Sequence, residues 1–456
     1  MASEIGWIVV INLIVYFHTL RFKLVSDDFT VYHNPPKYKN EWHRRWLQFS
    51  GQGKWSSKTL SFFKEDGKWK FAVMNTAEFE HLLALIIHIC ICVAIYFAFG
   101  KNQTSFIAGL LYSVNPVNNQ ATIWPGGRGY ALPILSLLLS ISIPFLAPAL
   151  LYFCSWYTIG FLAPLALIGS PWWYLLGVMV FVWAIHWKKY STAIKLKAKF
   201  ESYDNDKKYD YTKIVVYVKT FGFYFAYCLL PFRVTFYHNF LQSMAGSMRH
   251  KAISIWDKYF WIGLFVMIGT VWFAITNWGL LAWSLLAFWI AITPFCNIIR
   301  ANQEIADRFC GLPNVFLMFA LAQVIVSYPV ICAIYITFYA VRAYYTVQMY
   351  RDEYWITEIA VIEDPDAWWA WHCRAMKRWD NKSFREALIF WTMAKMISPK
   401  EFKLYVNMAT AIKMLGNPKE ADTYIEKAAQ NIVPGQEKEA MDIIKAYNEG
   451  KLPILL

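Results

Sequence analysis

Two adjacent carboxylates, a pair of histidines, an amide-rich stretch and two arginines are the side chains here that could do chemistry, and all but one histidine stand at or near the edge of an apolar run. Asp27 and Asp28 follow the first such run in Ser26-Asp27-Asp28-Phe29. Neighbouring carboxylates at the mouth of a membrane region are costly if desolvated and unpaired. They read either as a solvated helix end or as a general base, or orienting group, for a hydroxyl. His81 and His88 are two helical turns apart and share a face. His88 lies inside an apolar run, where its ring must find a partner on a neighbouring helix or on a substrate. Asn115, Asn118 and Gln120 stand in Asn115-Pro116-Val117-Asn118-Asn119-Gln120. Amides hydrogen-bond well but cannot act as acid or base near neutral pH. The same segment closes on Gly126-Gly127-Arg128-Gly129. The planar fork of Arg128 suits a lipid phosphate or an ordinary interfacial anchor. No Lys-Ser/Thr follows the glycines, so this is not a nucleotide-binding loop. Glu304, Asp307 and Arg308 follow another apolar run, and Arg308 is a second phosphate partner.

The elements that must position these groups are membrane helices. The chain has 456 residues, of which 57% are hydrophobic and 16% charged, against about 25% charged in an ordinary soluble protein. Its mean hydropathy is +0.31. Apolar runs fall near 6–24, 82–98, 104–118, 130–147, 149–167, 171–187, 213–232, 259–277 and 279–299. A further block from Val315 to Val347 carries Pro329 near its middle and reads as two short spans. The expected fold is all-α, with about eleven transmembrane helices. Continuous runs argue against a membrane β-barrel, whose strands alternate. The run Gly6–Leu20 lacks a basic leader and a small-residue cleavage site, so it reads as the first span and not as a signal peptide.

The net charge of +13 belongs with loops that set orientation and meet anionic lipid, not with nucleic acid. The lysine-rich stretch 187–213 is expected in the cytoplasm. Counting spans from it places loops 25–81, 115–129, 233–258 and 300–314 together on the outer face. Loop 233–258 carries Arg233, Arg249 and Lys258, a mild departure from the charge rule that an anionic ligand would explain. Acids, amides and arginines on one face suit a lipid-phosphate-linked substrate. The eight cysteines form no framework or metal spacing. A dedicated divalent metal site is unexpected beside the single adjacent acid pair, and no other cofactor is indicated.

From about residue 351 the chain turns polar with helical periodicity. Ala375, Ala387 and Ala394 recur as Ala409, Ala421 and Ala428, a period of 34. This matches the tetratricopeptide pattern. Repeats are expected at about 368–401 and 402–435, with a capping helix at about 436–447. The division is therefore a membrane domain, 1–350, and a repeat domain, 351–456.

With these pieces in order, the chain resembles the transmembrane O-mannosyltransferases that carry tetratricopeptide repeats, and their bacterial relatives, which have the C-type glycosyltransferase fold. Asp27-Asp28 match the family's paired acids after the first helix. His81-Leu82-Leu83-Ala84 through His88 match its two-histidine motif, with Ala84 where the family has asparagine. Asn115-Pro116-Val117-Asn118-Asn119-Gln120 and Gly127-Arg128 align with its His-Pro-x-His-x-Glu and Gly-Arg. Asp307-Arg308-Phe309 align with its Glu-Arg-Tyr, and Phe236-Tyr237-His238 with the segment before its central loop. The resemblance implies a polyprenyl-phosphate sugar donor and a hydroxyl acceptor on a protein presented by the repeats. It implies inverting transfer at the extracytoplasmic face of a multi-pass cell membrane, the inner membrane if bacterial. Asp27 or Asp28 would serve as base, with Arg128 and Arg308 on phosphate. His81, His88, Asn115, Asn118, Gln120, Glu304, Asp307 and His238 would bind substrate. The Asn and Gln replacements remove groups that titrate. A non-catalytic assembly protein on a degenerate transferase fold is one alternative reading, and a transporter of lipid-linked glycans is another.

Overall fold

The computed structural model describes residues 2–25, 60–65, 68–73, 76–154, 174–201, 211–236, 238, 255–297, 305–399, 401–432 and 437–451. They are helical apart from one antiparallel hairpin, β1 (Leu60–Glu65) with β2 (Lys68–Val73). The first part of the chain holds α1 (Ala2–Tyr16), α2 (Thr76–Ala98), α3 (Gln103–Val114), α4 (Arg128–Ser142), α5 (Ala147–Cys154), α6 (Tyr174–Glu201), α7 (Tyr211–Leu229), α8 (Lys258–Thr276), α9 (Leu280–Ile292), α10 (Gly311–Ile325) and α11 (Pro329–Thr346).

The expectation of about eleven spans, and with it the multi-span C-type glycosyltransferase architecture, is not what the chain forms. Among the described residues, five helices are long and apolar enough to cross a membrane: Ala2–Arg21, Ala77–Ala98, Lys258–Thr276, Asp307–Ile325 and Pro329–Tyr350. The reason is punctuation inside the apolar runs. The run 104–118 breaks at Asn115-Pro116, because proline removes an N–H and pushes the residue before it out of the helical region. The 12 residues left in α3 rise about 18 Å, against about 30 Å of hydrocarbon. Pro144 likewise follows the end of the 15-residue α4, and Pro294 follows the 13-residue α9. Most of the run 149–167 lies outside the described residues.

The long helices carry the signature of a lipid environment. α8 turns Phe265, Ile268, Trp272 and Ile275 outward, and exposed Trp256 and Trp278 stand beyond its two ends. Tryptophan favours the membrane–water boundary, so the pair brackets a helix of the right length. α7 and α8 cross at Gly222 and Gly263. A Cβ at Gly222 would overlap the Tyr259 carbonyl oxygen, and one at Gly263 would overlap the Val218 carbonyl. Small residues thus let the two backbones touch, as packing between apolar helices requires.

The split at Pro329 is present. α10 ends at Ile325, a short turn follows, and α11 starts on Pro329. Pro329 fits the first helical turn, where its missing N–H costs nothing. The end of α11 comes back to the level where α10 began: Tyr350 stacks on Trp124 at 6.2 Å and lies near Phe236 at 6.4 Å.

After α11 come α12 (Glu353–Glu363), α13 (Trp368–Asp380), α14 (Phe384–Ile397), α15 (Phe402–Met414), α16 (Pro418–Gln430) and α17 (Glu437–Asn448). α13–α14 and α15–α16 are consecutive helical hairpins. Ala375, Ala387 and Ala394 in the first, and Ala409, Ala421 and Ala428 in the second, are fully buried. Small side chains at these points let the paired helices approach, while Trp391 and Ile425 fill the space between. The helical extension is tied to the bundle through Glu363. Its carboxylate accepts from Arg342 of α11 at 2.8 Å and from the Val234 backbone N–H at 3.1 Å.

Candidate functional site

Segments far apart in sequence meet at one end of the bundle. The chain leaving α1 is held there when the Lys23 N–H donates to the Arg351 carbonyl at 2.9 Å. His81, near the start of α2, sets its Nε2 3.2 Å from the Lys23 carbonyl. Asp27, Asp28 and Glu304 lie outside the described residues.

The stretch between α3 and α4 is a chain of tight turns, Pro116–Asn118, Asn119–Ile123 and Pro125–Gly127, and its amides are turned inward. Asn115 donates to the Cys228 carbonyl at 2.8 Å, and Asn118 to the Tyr112 carbonyl at 2.8 Å. Asn314 donates to Asn118 Oδ1 at 2.9 Å. The Asn119 Oδ1 accepts from Tyr16 at 3.0 Å, and Gln120 Oε1 accepts from the Arg308 backbone N–H at 2.9 Å. All five amides are buried. Each satisfies a backbone or side-chain group that would otherwise be stranded where helices break, which is the work a buried polar network must do. His88 behaves alike: its Nε2 lies 3.0 Å from the Ser113 carbonyl, with Tyr16 edge-on to the ring. His81 Nδ1, His88 Nδ1 and Gln120 Nε2 are buried without a hydrogen-bond partner among the described residues.

Arg128 is buried and forms an ion pair with Glu80, which is wholly buried. Its Nε also donates to the Pro125 carbonyl at 3.2 Å. Arg128 would engage a phosphate only by exchanging Glu80 for it. Arg308 is partly exposed. Its Nε donates to the Tyr130 hydroxyl at 3.1 Å and its guanidinium lies 5.3 Å from the Phe309 ring centre.

Asp307 and Arg308 face different neighbours. One carboxylate oxygen of buried Asp307 accepts from the Tyr227 hydroxyl at 2.8 Å and sits 2.6 Å from His238 Nε2. Tyr227 and His238 line an open cavity of about 520 Å³. Its walls come from α7, the segment 230–238, the start of α8, and Asp364 and Asp366 just after α12. Arg233 and Lys258 stand on the bundle side, the two aspartates on the side of the helical extension. Among the described residues, no group of three or more His, Cys, Asp or Glu is placed to hold a metal.

The structure thus gathers His81, Asn115, Asn118, Gln120, Arg128, Asp307, Arg308 and His238 toward one end, with His88 deeper inside. Sequence reasoning missed Glu80, Tyr227 and the aspartates at 364 and 366, while Arg233 and Lys258 had stood out only as basic residues of one loop. Glu80 had a usable signal: an acid beside His81, at the mouth of an apolar run, needs a cation. Tyr227 had none, being one aromatic among many. No protein-family model matches the chain, and no curated protein or solved structure matches it. Fold and composition define a multi-pass membrane protein with a helical extension.

Proposed function

We propose that this protein transfers a sugar from a polyprenyl-phosphate donor to a hydroxyl, carried by a protein, at the extracytoplasmic face of the membrane. The observation that carries the reading is the meeting of the 115–128 and 305–311 segments at one end of the bundle, where Gln120 accepts from the Arg308 N–H, with Asp307 reaching His238 on the wall of a cavity that also touches the helical extension. These are the segments whose motifs resemble the transmembrane O-mannosyltransferases with tetratricopeptide repeats. In this reading the hydroxyl attacks the sugar carbon as the phosphate leaves on the opposite side, inverting the centre. Negative charge grows on the phosphate, and Arg308 stabilises it more in the transition state than in the ground state. Asp27 or Asp28 orients or deprotonates the hydroxyl. The repeats bring the acceptor protein to the cavity.

The test is transfer of a labelled hexose from a polyprenyl phosphate to a serine- and threonine-bearing peptide by the protein in lipid vesicles. Transfer should be slower in Asp27→Asn with Asp28→Asn than in the parent, whether the pair orients the hydroxyl or takes its proton. Undiminished transfer by that double variant removes the acid pair from the mechanism. A second reading, a non-catalytic assembly protein, draws on the burial of the amides and the neutralisation of Arg128 by Glu80. It predicts no transfer by the parent protein from any polyprenyl-phosphate sugar.

A further inference from the structure

His238 is held as a proton acceptor is held. Its Nε2 lies 2.6 Å from Asp307 Oδ1, and Asp307 is almost wholly buried. A carboxylate accepts hydrogen bonds and does not donate them, so the ring proton sits on Nε2. In the neutral ring this fixes the tautomer and leaves the lone pair on Nδ1. The ring is wedged edge-on against Phe223 at 5.8 Å and Tyr227 at 5.4 Å, so its plane is set by packing. Tyr227 donates to the same carboxylate oxygen at 2.8 Å, which holds Asp307 in place. His238 lines the cavity, with 5% of its side chain exposed. An imidazole that bonds a buried carboxylate through one nitrogen, on a side chain that lines a cavity, has the arrangement of a general base when its ring is neutral.

We propose that the cavity where the bundle meets the helical extension is the acceptor site, and that His238, positioned by Asp307, takes the proton of the acceptor hydroxyl. The assignment rests on the sugar-transfer reading. The hydroxyl O–H bond breaks with its proton going to Nδ1, and the oxygen forms the new bond to the sugar carbon. The bond from that carbon to the phosphate oxygen breaks, and its electron pair leaves with the phosphate. Asp307 stabilises the imidazolium that forms, and the proton does not go to Asp27 or Asp28. Among the described residues, the charged or titratable groups that touch His238 or share its cavity are Asp307, Tyr227, Tyr259, Arg233, Lys258, Asp364 and Asp366.

The experiment compares pH–rate profiles for hexose transfer by the parent, H238Q, D307N and the Asp27→Asn/Asp28→Asn double variant, all in lipid vesicles. The parent should lose rate on the acid side, as a base that must be unprotonated requires. H238Q should lose roughly 10²- to 10⁴-fold in rate and lack the acid limb. D307N should also be slow, because the wrong tautomer then competes. The double variant should be slower yet keep the limb. Transfer by H238Q with the acid limb intact overturns the assignment alone. No transfer by the parent overturns the reading beneath it as well. A second measurement needs no turnover: diethyl pyrocarbonate should modify His238 ahead of buried His81 and His88. Resistance of His238 in the folded protein would overturn the assignment without touching the transferase reading.

Discussion

The ion pair of Glu80 with Arg128 offers the sharpest test of how the bundle end is held together. Both side chains are almost fully withdrawn from water. Arg128 opens α4 directly after the turn Pro125–Gly127, and Glu80 belongs to the first turns of α2, so the pair joins two helix starts. The turn cannot relax around a lost partner. A Cβ at Gly127 would overlap the Gln120 carbonyl oxygen, which shows how tightly the backbone is folded there. Removing one member of a buried pair strands the other charge, at a cost of about 3–5 kcal/mol. Because about 1.4 kcal/mol is tenfold, Glu80→Ala should cut the folded-to-unfolded ratio by roughly 10²- to 10³-fold or more. Replacing both partners by methionine removes the stranded charge along with the pair, so E80M with R128M should recover most of that loss. The assay is unfolding of the detergent-solubilised protein followed by tryptophan fluorescence. The reasoning is refuted if E80A is as stable as the parent, or if the double variant is no better than the single one.

Two further outcomes follow from packing. Gly222→Val should push α7 from α8, because the added carbons would meet the Tyr259 carbonyl, and overpacking of this kind costs about 1–3 kcal/mol or more. A thermal unfolding midpoint equal to that of the parent would show that the two backbones are not in contact at that point. Trp391→Ala should empty the middle of the first repeat-like hairpin, where Trp391 is fully buried and donates to His372 at 3.2 Å. The expected cost is about 3–5 kcal/mol, seen as faster amide hydrogen exchange confined to 368–430. Exchange unchanged in that region, or raised equally throughout the chain, would contradict a separate hydrophobic core there.

What could be read from sequence was periodicity, and what could not was where periodicity is interrupted. The buried alanines of α13–α16 recur at the interval the sequence shows, because a helical hairpin repeats its close contacts with its residues. The number of spans was misread because hydropathy sums over a window and does not notice one Asn-Pro step. Asn115-Pro116 divides an apolar run into a short helix and a set of turns, and the broken backbone then draws in the amides of 115–120. Those amides stood out in the sequence as polar groups between apolar runs. Their hydrogen bonds show that this placement is first of all the cost of breaking helices within a bundle. Asp307 and His238 are 69 residues apart, and nothing local in either segment announces that they touch.

The helical extension lies beside the cavity because of the hairpin of α10 and α11. Asp307 precedes α10 and Tyr350 closes the turn after α11, so two consecutive long helices carry the chain away from this end and back to it. A single long helix in their place would have delivered residue 350 to the opposite end of the bundle. On its return the chain is fastened at once: Arg342 donates to the Phe232 carbonyl at 2.8 Å, and Glu363 holds both Arg342 and the Val234 N–H. The same segment, two residues on from Phe236, presents His238 to Asp307. Trp371 of α13 donates to the Pro365 carbonyl at 2.8 Å, which fixes the turn bearing Asp364 and Asp366. A movement of the first hairpin therefore reaches the cavity wall through one hydrogen bond and one short turn. Ion pairs of Arg374 with Glu358 and of Lys377 with Glu353 join α13 to α12 as well, so the extension has more than one physical route to the cavity wall.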